Sequence, residues 1–167
     1  MITSLSAAAK AMHGELRGDD RQFAAISTDS RTLREGELFF ALQGPNFDGC
    51  NYVQSACDSG AAAAVVPTRV SVDIPQIVVA DTRLALGQFA SAWRNQQDVT
   101  VVGITGSNGK TGTKELVRAC LLKRAPTLAT QGNLNNEIGV PLMLARITAE
   151  HRFAVIEMGA NHPGEIA

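Results

Sequence analysis

The chain has 167 residues, of which 45% are hydrophobic and 19% charged, and its formal net charge is -1. This is the composition of a soluble globular protein with room for one domain or two small ones. It excludes the concentrated basic surface that binding to nucleic acid or to an anionic membrane needs. No stretch approaches the ~20 apolar residues of a membrane helix. Lys10 and His13 interrupt the amino-terminal run, so no signal peptide is predicted.

The cysteines give no sign of a disulfide framework or of a zinc site. Cys50, Cys57 and Cys120 are odd in number and irregularly spaced. Reduced thiols fit an intracellular protein. Cys120 lies among apolar residues of a predicted helix, and we expect it to be a small core residue.

The first part of the chain alternates short β-rich runs with helix-like runs. The predicted strands are 24–28, 38–42, 62–66 and 76–79. A helix predicted over 51–59 ends at Gly60, and a long amphipathic helix is predicted over 82–97. The residues of this long helix that we expect to face the core are Leu84, Leu86, Phe89, Ala90 and Trp93.

The second part has the order strand-loop-helix-strand-helix-strand, which is typical of a parallel nucleotide-binding sheet. The almost wholly apolar run 99–105 predicts a strand that is covered on both faces. The later elements are predicted as a helix at 110–124, a strand at 127–130, a helix at 139–147 and a strand at 153–157. We therefore predict an α/β protein. It has a small α/β domain at 1–82, a connecting helix or linker at 83–98, and the first part of a parallel-sheet phosphate-loop domain at 99–167.

The strongest chemical signal is the glycine-rich segment VVGITGSNGKTGTK at 101–114. Glycines let backbone N–H groups approach phosphate oxygens, and the following helix adds free N–H donors and a partial positive charge. Lys110 can reach the β- and γ-phosphates of a nucleotide, and the Thr111 hydroxyl can bind Mg²⁺. The strict pattern G-x-x-x-x-G-K-[ST] is not met, because Ile104 stands where it requires glycine. A glycine turn with an incidental lysine is the alternative, and the strand before and helix after the loop argue against it.

Gly112 is an unusual residue for the first turn of the predicted helix. Glycine costs about 1 kcal/mol relative to alanine in a helix interior, and less near a terminus. A residue with a hydroxyl group would be more usual here, and we expect its absence to weaken a phosphate contact.

TGSNGKT after a buried strand is similar to the ATP loop of the Mur ligases and of relatives such as folylpolyglutamate synthetase. The segment STDSRTLREGELFFALQGPNFDG at 27–49 resembles the UDP-sugar-binding domain of that family. GNLNNEIGVPLMLARI at 132–147 and AVIEMGANHPGEIA at 154–167 resemble the branch that acts on UDP-N-acetylmuramoyl-tripeptide and D-alanyl-D-alanine. The resemblance extends over essentially the whole chain, in the same order.

The resemblance implies an ATP-dependent ligase of cytoplasmic peptidoglycan precursor synthesis, in which a tripeptide carboxylate and ATP form an acyl phosphate that the amine of D-alanyl-D-alanine then attacks. It implies ATP and Mg²⁺ as cofactors. It implies a monomer when full length, with no nucleic-acid partner and no insertion into a membrane. Residues 1–82 would be the UDP-muramoyl-binding domain, and 99–167 an incomplete central ATP-binding domain.

The same resemblance implies roles for individual residues. The ATP phosphates would be bound by Gly106, Ser107, Asn108, Gly109, Lys110, Thr111 and Gly112. Thr111, Glu157 and His162 would bind Mg²⁺, and Lys110, Glu157 and His162 would form the catalytic set. Glu157 follows a predicted parallel strand, at the edge where open α/β sheets bind their ligands. The alternatives are a solvated strand-end carboxylate for Glu157 and a structural or exposed histidine for His162.

The resemblance also implies two groups of substrate contacts. In the first domain they are Thr28, Asp29, Ser30, Arg31, Gly44, Phe47 and Asp48, and in the second they are Asn133, Asn135 and Asn136. Phe47 could stack on uracil or cover the core. Asp29 and Arg31 could instead be a surface pair in a turn, and the asparagines could simply be turn residues.

Two other functions compete with this interpretation. One is a sister ligase that adds a different amino acid to a UDP-muramoyl peptide. The other is a module that binds UDP-sugar or nucleotide without catalysis. The third domain of the family, which closes over ATP, is not in this chain, so we expect the chain alone to be inactive or weakly active.

Overall fold

The computed structural model describes residues 3–44 and 47–159 of the chain. Contacts between residues divide it into two compact units, Met1–Phe89 and Ala90–Ala167. The division falls within one continuous helix, Thr82–Asn95.

The first unit is built on a five-stranded sheet. In chain order its elements are β1 (Thr3–Ser4), α1 (Leu5–Ala11), β2 (Glu15–Arg17), β3 (Gln22–Phe23), β4 (Ala25–Ser27), β5 (Glu37–Phe40), β6 (Gln43–Gly44), β7 (Phe47–Asp48), a 3-10 helix (Gly49–Tyr52), α2 (Val53–Asp58), β8 (Ala63–Val66), β9 (Gln76–Val78) and α3 (Thr82–Asn95). The strand order is β2-β9-β8-β5-β4, parallel except for β2, which pairs with β9 in the antiparallel sense. The pairs β1-β3 and β6-β7 form two small antiparallel ribbons.

The middle of this sheet is buried on both faces. All four residues of β8 are buried, which explains why an alanine-rich segment forms a strand here. On one side the core contains Phe39, Val53 and Ala56. Elsewhere in the unit the ring of Phe89 lies 5.8 Å from that of Phe23, measured between centroids. The strand predicted at 62–66 is confirmed, since it is β8.

The second unit continues from the end of α3 into a three-stranded parallel sheet. Its elements are β10 (Thr100–Ile104), α4 (Lys110–Leu122), β11 (Thr127–Ala129), α5 (Gly139–Leu144) and β12 (Phe153–Glu157). The strand order is β10-β12-β11, so β12 is central although it is the last of the three in sequence. Ile104 pairs with Glu157 in register, and Ala129 pairs with Val155. The carboxyl ends of the three strands, and the loops that follow them, therefore meet at one edge.

The α/β fold class predicted from the sequence is confirmed, but three predictions about burial are wrong. In the described part of the sheet β10 is an edge strand, so Thr100 and Gly103 are exposed instead of being covered on both faces. Leu84 is 61% exposed because it lies on the face of α3 opposite to the buried Leu86. Cys120 is also exposed. It lies about 90° around the axis of α4 from the stripe that packs on the sheet.

Within residues 3–44 and 47–159, no helix is long and apolar enough to cross a membrane.

Candidate active site

The phosphate loop connects β10 to the first turn of α4. Gly106 and Gly109 have φ angles of 142° and 75°, a region that residues with side chains rarely adopt. Gly109 immediately precedes α4 and makes no side-chain cap. Because a glycine at this position has no side chain to cap the helix, the first N–H groups of α4 depend on other acceptors, such as a ligand.

Lys110 folds back over this loop. Its Nζ donates a hydrogen bond to the carbonyl oxygen of Gly106 at 2.7 Å. The ammonium group is therefore held against the backbone of the loop. The other predicted residues of the loop, Ser107 and Asn108, are exposed there, and a Cβ atom at Gly112 would meet no atom within 4 Å.

Glu157 is a buried carboxylate at the carboxyl end of the central strand. The residue is 3% exposed, so it is not the solvated strand-end carboxylate of the alternative interpretation. The Thr111 hydroxyl donates to its Oε2 at 3.1 Å and to its Oε1 at 3.3 Å. The Asn135 amide nitrogen donates to Oε1 at 2.9 Å. Two other predicted site residues, Thr111 at the start of α4 and Asn135 between β11 and α5, thus meet at the carboxylate of Glu157.

These oxygen donors suit a hard divalent cation. A hydroxyl and a carboxylate are the oxygen ligands that Mg²⁺ prefers, and such sites usually gain further ligands from phosphates and water. Across residues 3–44 and 47–159, no group of three or more His, Cys, Asp or Glu side chains could hold a metal ion. The described residues could therefore supply part of a coordination shell, with a phosphate ligand supplying more. His162, the remaining predicted metal ligand, lies outside the described residues.

The three predicted asparagines differ in what they contact. Asn135 contacts Glu157, and its carbonyl oxygen accepts a hydrogen bond from the N–H of Gly159 at 2.7 Å. The Oδ1 atom of Asn136 accepts from the N–H of Gly139 at 2.8 Å, which supports the start of α5. Asn133 is exposed, and its carbonyl oxygen accepts from the N–H of Asn135 at 2.8 Å. Only Asn135 reaches the carboxylate, and the other two serve the turn that carries it.

Two buried polar residues beside the site were missed by the sequence analysis. The Nζ of Lys114 donates to the carbonyl oxygen of Thr130 at 3.0 Å, and the Thr130 hydroxyl accepts from the backbone N–H of Glu157 at 2.8 Å. Lys114 also lies 3.0 Å from Oε1 of Glu115, and this hydrogen bond lowers the pKa of that carboxyl. The spacing places Lys114 one helical turn after Lys110, but it does not indicate the contact with Thr130.

A second candidate site is a cavity of about 430 Å³ in the first unit. It is lined by Thr28, Asp29, Ser30, Arg31, Phe39, Phe47 and Tyr52. Five of these were predicted substrate contacts, whereas Phe39 and Tyr52 were not. The rings of Phe47 and Tyr52 are both half-exposed and lie 5.9 Å apart between centroids. Two neighbouring exposed aromatic rings at a cavity are suited to binding a flat apolar or aromatic group.

Asp29 and Arg31 form a bidentate ion pair at this cavity. The Nε and Nη2 atoms of Arg31 donate to the two carboxylate oxygens of Asp29 at 2.9 and 2.6 Å. The backbone N–H of Arg31 donates to the same carboxylate at 3.0 Å. These hydrogen bonds from Arg31 lower the pKa of Asp29 to about 2, and the pKa of Arg31 is raised by the same pair. The side chain of Arg31 is nevertheless 86% exposed.

The other two predicted residues of the first unit do not line the cavity. Gly44 pairs with Phe47 in the β6-β7 ribbon. Asp48 accepts a hydrogen bond from the N–H of Cys50 at 2.9 Å and so caps the 3-10 helix. Burial raises the pKa of the Cys50 thiol to about 11, with a further contribution from Asp48. Both predicted residues shape the loop that carries Phe47.

Comparison with known proteins gives matches over both units. The model of the Mur ligase family, catalytic domain, matches residues 22–94, and that of the Mur ligase middle domain matches residues 104–167. The UDP-N-acetylmuramoyl-tripeptide–D-alanyl-D-alanine ligase of Escherichia coli (strain K12) is 48% identical over 164 residues, which are 98% of this chain and 36% of that protein.

Solved structures agree with these matches. A crystal structure of MurF from Acinetobacter baumannii matches 99% of this chain and 37% of its own, with a TM-score of 0.94 and 42% identity. The structure of MurF ligase from Thermotoga maritima in complex with ADP matches 85% of this chain and 33% of its own, with a TM-score of 0.76 and 35% identity. The chain spans about a third of the length of these relatives. It belongs to the Mur ligase family and corresponds to the amino-terminal part of its members.

Proposed function

We propose that this chain is the amino-terminal part of an ATP-dependent ligase that joins D-alanyl-D-alanine to UDP-N-acetylmuramoyl-tripeptide in cytoplasmic peptidoglycan synthesis. The observation that carries the proposal is the buried carboxylate of Glu157, which accepts a hydrogen bond from Thr111 directly beside a phosphate loop. The 48% identity to a relative with that activity supports the choice of substrates.

The reaction consists of two displacements. A carboxylate oxygen of the tripeptide attacks the γ-phosphorus of ATP, the bond to the β-phosphate oxygen breaks, and ADP leaves. The amine nitrogen of D-alanyl-D-alanine then attacks the carbonyl carbon of the acyl phosphate. The carbon–oxygen bond to phosphate breaks, and the amine loses a proton. Little covalent chemistry falls to the protein, so its main tasks are to position the anions and to stabilise their charge.

Lys110 and the loop 106–112 would bind the ATP phosphates. The ammonium group of Lys110 is held 2.7 Å from the Gly106 carbonyl oxygen and can exchange this neutral acceptor for a charged one. The N-terminus of α4 adds backbone N–H donors and a partial positive charge. Both contributions stabilise the negative charge that moves between phosphate groups.

Thr111 and Glu157 would hold Mg²⁺ together with phosphate oxygens. When bound, the ion neutralises phosphate charge. Within the described residues the carboxylate of Glu157 meets only the neutral donors Thr111 and Asn135. A buried carboxylate without a cationic partner is costly, and a bound cation would compensate it. We propose His162 as a further residue of this site on sequence grounds alone.

The cavity of the first unit would bind the UDP-muramoyl group. The half-exposed rings of Phe47 and Tyr52 offer a surface on which uracil can stack. The guanidinium group of Arg31 donates two of its N–H groups to Asp29. Its remaining N–H groups can donate to a diphosphate or a carboxylate. The ion pair with Asp29 and an ionic contact to substrate are therefore compatible.

Calorimetric titration of the purified chain tests this proposal. We expect saturable binding of Mg-ATP and, separately, of UDP-N-acetylmuramoyl-tripeptide. Lys110→Ala should weaken Mg-ATP binding by about tenfold or more, which is the effect of losing one charge-assisted hydrogen bond. Arg31→Ala should weaken only the binding of the muramoyl tripeptide.

Two matched variants serve as controls. Lys123→Ala removes a lysine at the opposite end of α4, and Arg34→Ala removes an exposed arginine three residues after Arg31. Neither should change the affinity for either ligand. A cooperatively folded chain that binds no adenine nucleotide would overturn the proposal, whatever its affinity for the muramoyl tripeptide. Equal binding of a UDP-muramoyl dipeptide would point instead to a sister ligase.

A further inference from the structure

Lys114 is a buried lysine with a specific polar environment. The residue is only 3% exposed, and it lies one helical turn after Lys110 on α4. Burial of an ammonium group is costly unless hydrogen bonds compensate it. Its Nζ has two such partners, the carbonyl oxygen of Thr130 at 3.0 Å and the carboxylate of Glu115 at 3.0 Å.

Of these two contacts, the one with Thr130 is the structural one. Glu115 is half-exposed and is shared with Arg118 at 3.5 Å. Exposed ion pairs of this kind contribute little to stability. The Thr130 carbonyl is buried, and it lies directly after β11, at the edge of the sheet where the site is built.

Thr130 is also hydrogen-bonded to the central strand, β12. Its hydroxyl accepts from the backbone N–H of Glu157 at 2.8 Å, and its own N–H donates to the Val155 carbonyl oxygen at 3.0 Å. A continuous set of buried hydrogen bonds therefore runs from Lys114 on α4, through Thr130, to the backbone of Glu157. The Thr111 hydroxyl, on the same helix as Lys114, contacts the carboxylate of the same Glu157.

We infer that Lys114 is a positioning residue, which acts through Thr130 to fix Glu157 relative to Thr111 and the phosphate loop. The inference rests on the proposed function, since it concerns the metal-dependent binding of a nucleotide at that site. Lys114 touches neither the carboxylate nor, as we interpret the site, the nucleotide. Changes to residues that orient metal ligands commonly lower metal affinity about 10- to 100-fold.

The test measures the affinity of the chain for ADP by calorimetry, with Mg²⁺ and with EDTA. The ratio of the two affinities is the gain that Mg²⁺ provides. We expect Lys114→Met and Thr130→Val each to reduce this gain about tenfold and to leave the affinity in EDTA unchanged. Both substitutions break the same set of hydrogen bonds from Lys114 to Glu157. The gain from Mg²⁺ should therefore fall no further in the double variant than in either single variant.

Two variants separate this role from a general loss of stability. Thr130→Ser keeps the hydroxyl and should retain the wild-type gain. Arg118→Met removes the other cationic partner of Glu115 without touching Thr130 and should also retain it. If Lys114→Met does not unfold cooperatively, the comparison of Thr130→Val with Thr130→Ser decides the question.

The outcomes distinguish the inference from the proposed function. A wild-type gain in Lys114→Met, or additive losses in the double variant, overturns the inference alone. A folded wild-type chain that binds no ADP overturns the proposed function. A wild-type chain that binds ADP without any gain from Mg²⁺ overturns the inference and the metal site together.

Discussion

At the scale of single residues, the ion pair of Arg31 with Asp29 makes a direct prediction about a pKa. The hydrogen bonds from Arg31 lower the pKa of Asp29 from 3.8 to about 2. We expect a ¹³C NMR titration of the Asp29 carboxyl to show a midpoint near this value, and Arg31→Ala to return it toward 3.8. Arg34→Ala should leave the titration unchanged. A midpoint near 3.8 in the wild-type chain would show that the pair does not form in solution.

The sign of the accompanying effect on stability follows from the lowered pKa. A carboxyl whose pKa is lower in the folded state binds fewer protons there than in the unfolded state. The pair therefore stabilises the fold above about pH 4, and this contribution is lost as the pH falls toward about 2. The contribution is small because the side chains are exposed to solvent.

At the scale of elements, we predict opposite effects on stability for substitutions of two glycines at the start of α4. Gly112 is helical and a Cβ there meets no atom within 4 Å, so Gly112→Ala should raise the free energy of unfolding by up to about 1 kcal/mol. Gly109 has a φ of 75°, so Gly109→Ala should lower it by about 1 kcal/mol or more. Urea unfolding measures both effects.

Gly112→Ser adds a hydroxyl group at the same open position. We expect it to stabilise α4 less than alanine does and, unlike alanine, to tighten the binding of Mg-ATP. An affinity equal to that of Gly112→Ala would show that the hydroxyl makes no phosphate contact. Comparison of the two variants therefore separates the effect of helix propensity on stability from the effect of the hydroxyl group on Mg-ATP binding.

Elements with a strong pattern could be predicted from the sequence. The strand predicted at 153–157 is β12, and the helix predicted from 110 begins at Lys110. The apolar run and the glycine loop are local signals, so they survive without knowledge of the tertiary structure. The short strands β2 and β3 and the helix α1 carry weaker patterns and were not predicted. Ser4 is a preferred N-cap residue type that could have revealed α1, and its hydroxyl oxygen accepts a hydrogen bond from the N–H of Ala7.

The same distinction applies to the site. Thr111 and Glu157 could be paired in advance because loops after parallel strands meet at one edge of the sheet. Lys114 and Thr130 could not, because their roles depend on the strand order β10-β12-β11, which the sequence does not state. Tyr52 lies in a predicted helix, and only its proximity to Phe47 makes it part of a cavity.

At the scale of the whole molecule, each of the two units contains one candidate site, and the proposed reaction needs both ligands to meet. The chain spans 36% of the length of its Escherichia coli relative, so an assay of residues 1–167 tests these two units on their own. Positioning and exclusion of water account for much of the rate in such reactions. We therefore expect the effects on ligand binding and on the rate of turnover to differ in this chain.

We expect the purified chain to bind its ligands but to show little or no turnover. The measurement is release of inorganic phosphate in the presence of Mg-ATP, UDP-N-acetylmuramoyl-tripeptide and D-alanyl-D-alanine, with the full-length Escherichia coli relative as the positive control. Lys110→Ala provides the background, since any rate that survives this change does not arise at the phosphate loop. A rate near that of the full-length relative, abolished by Lys110→Ala, would show that these two units suffice for catalysis. It would also show that enclosure by further parts of a Mur ligase is unnecessary.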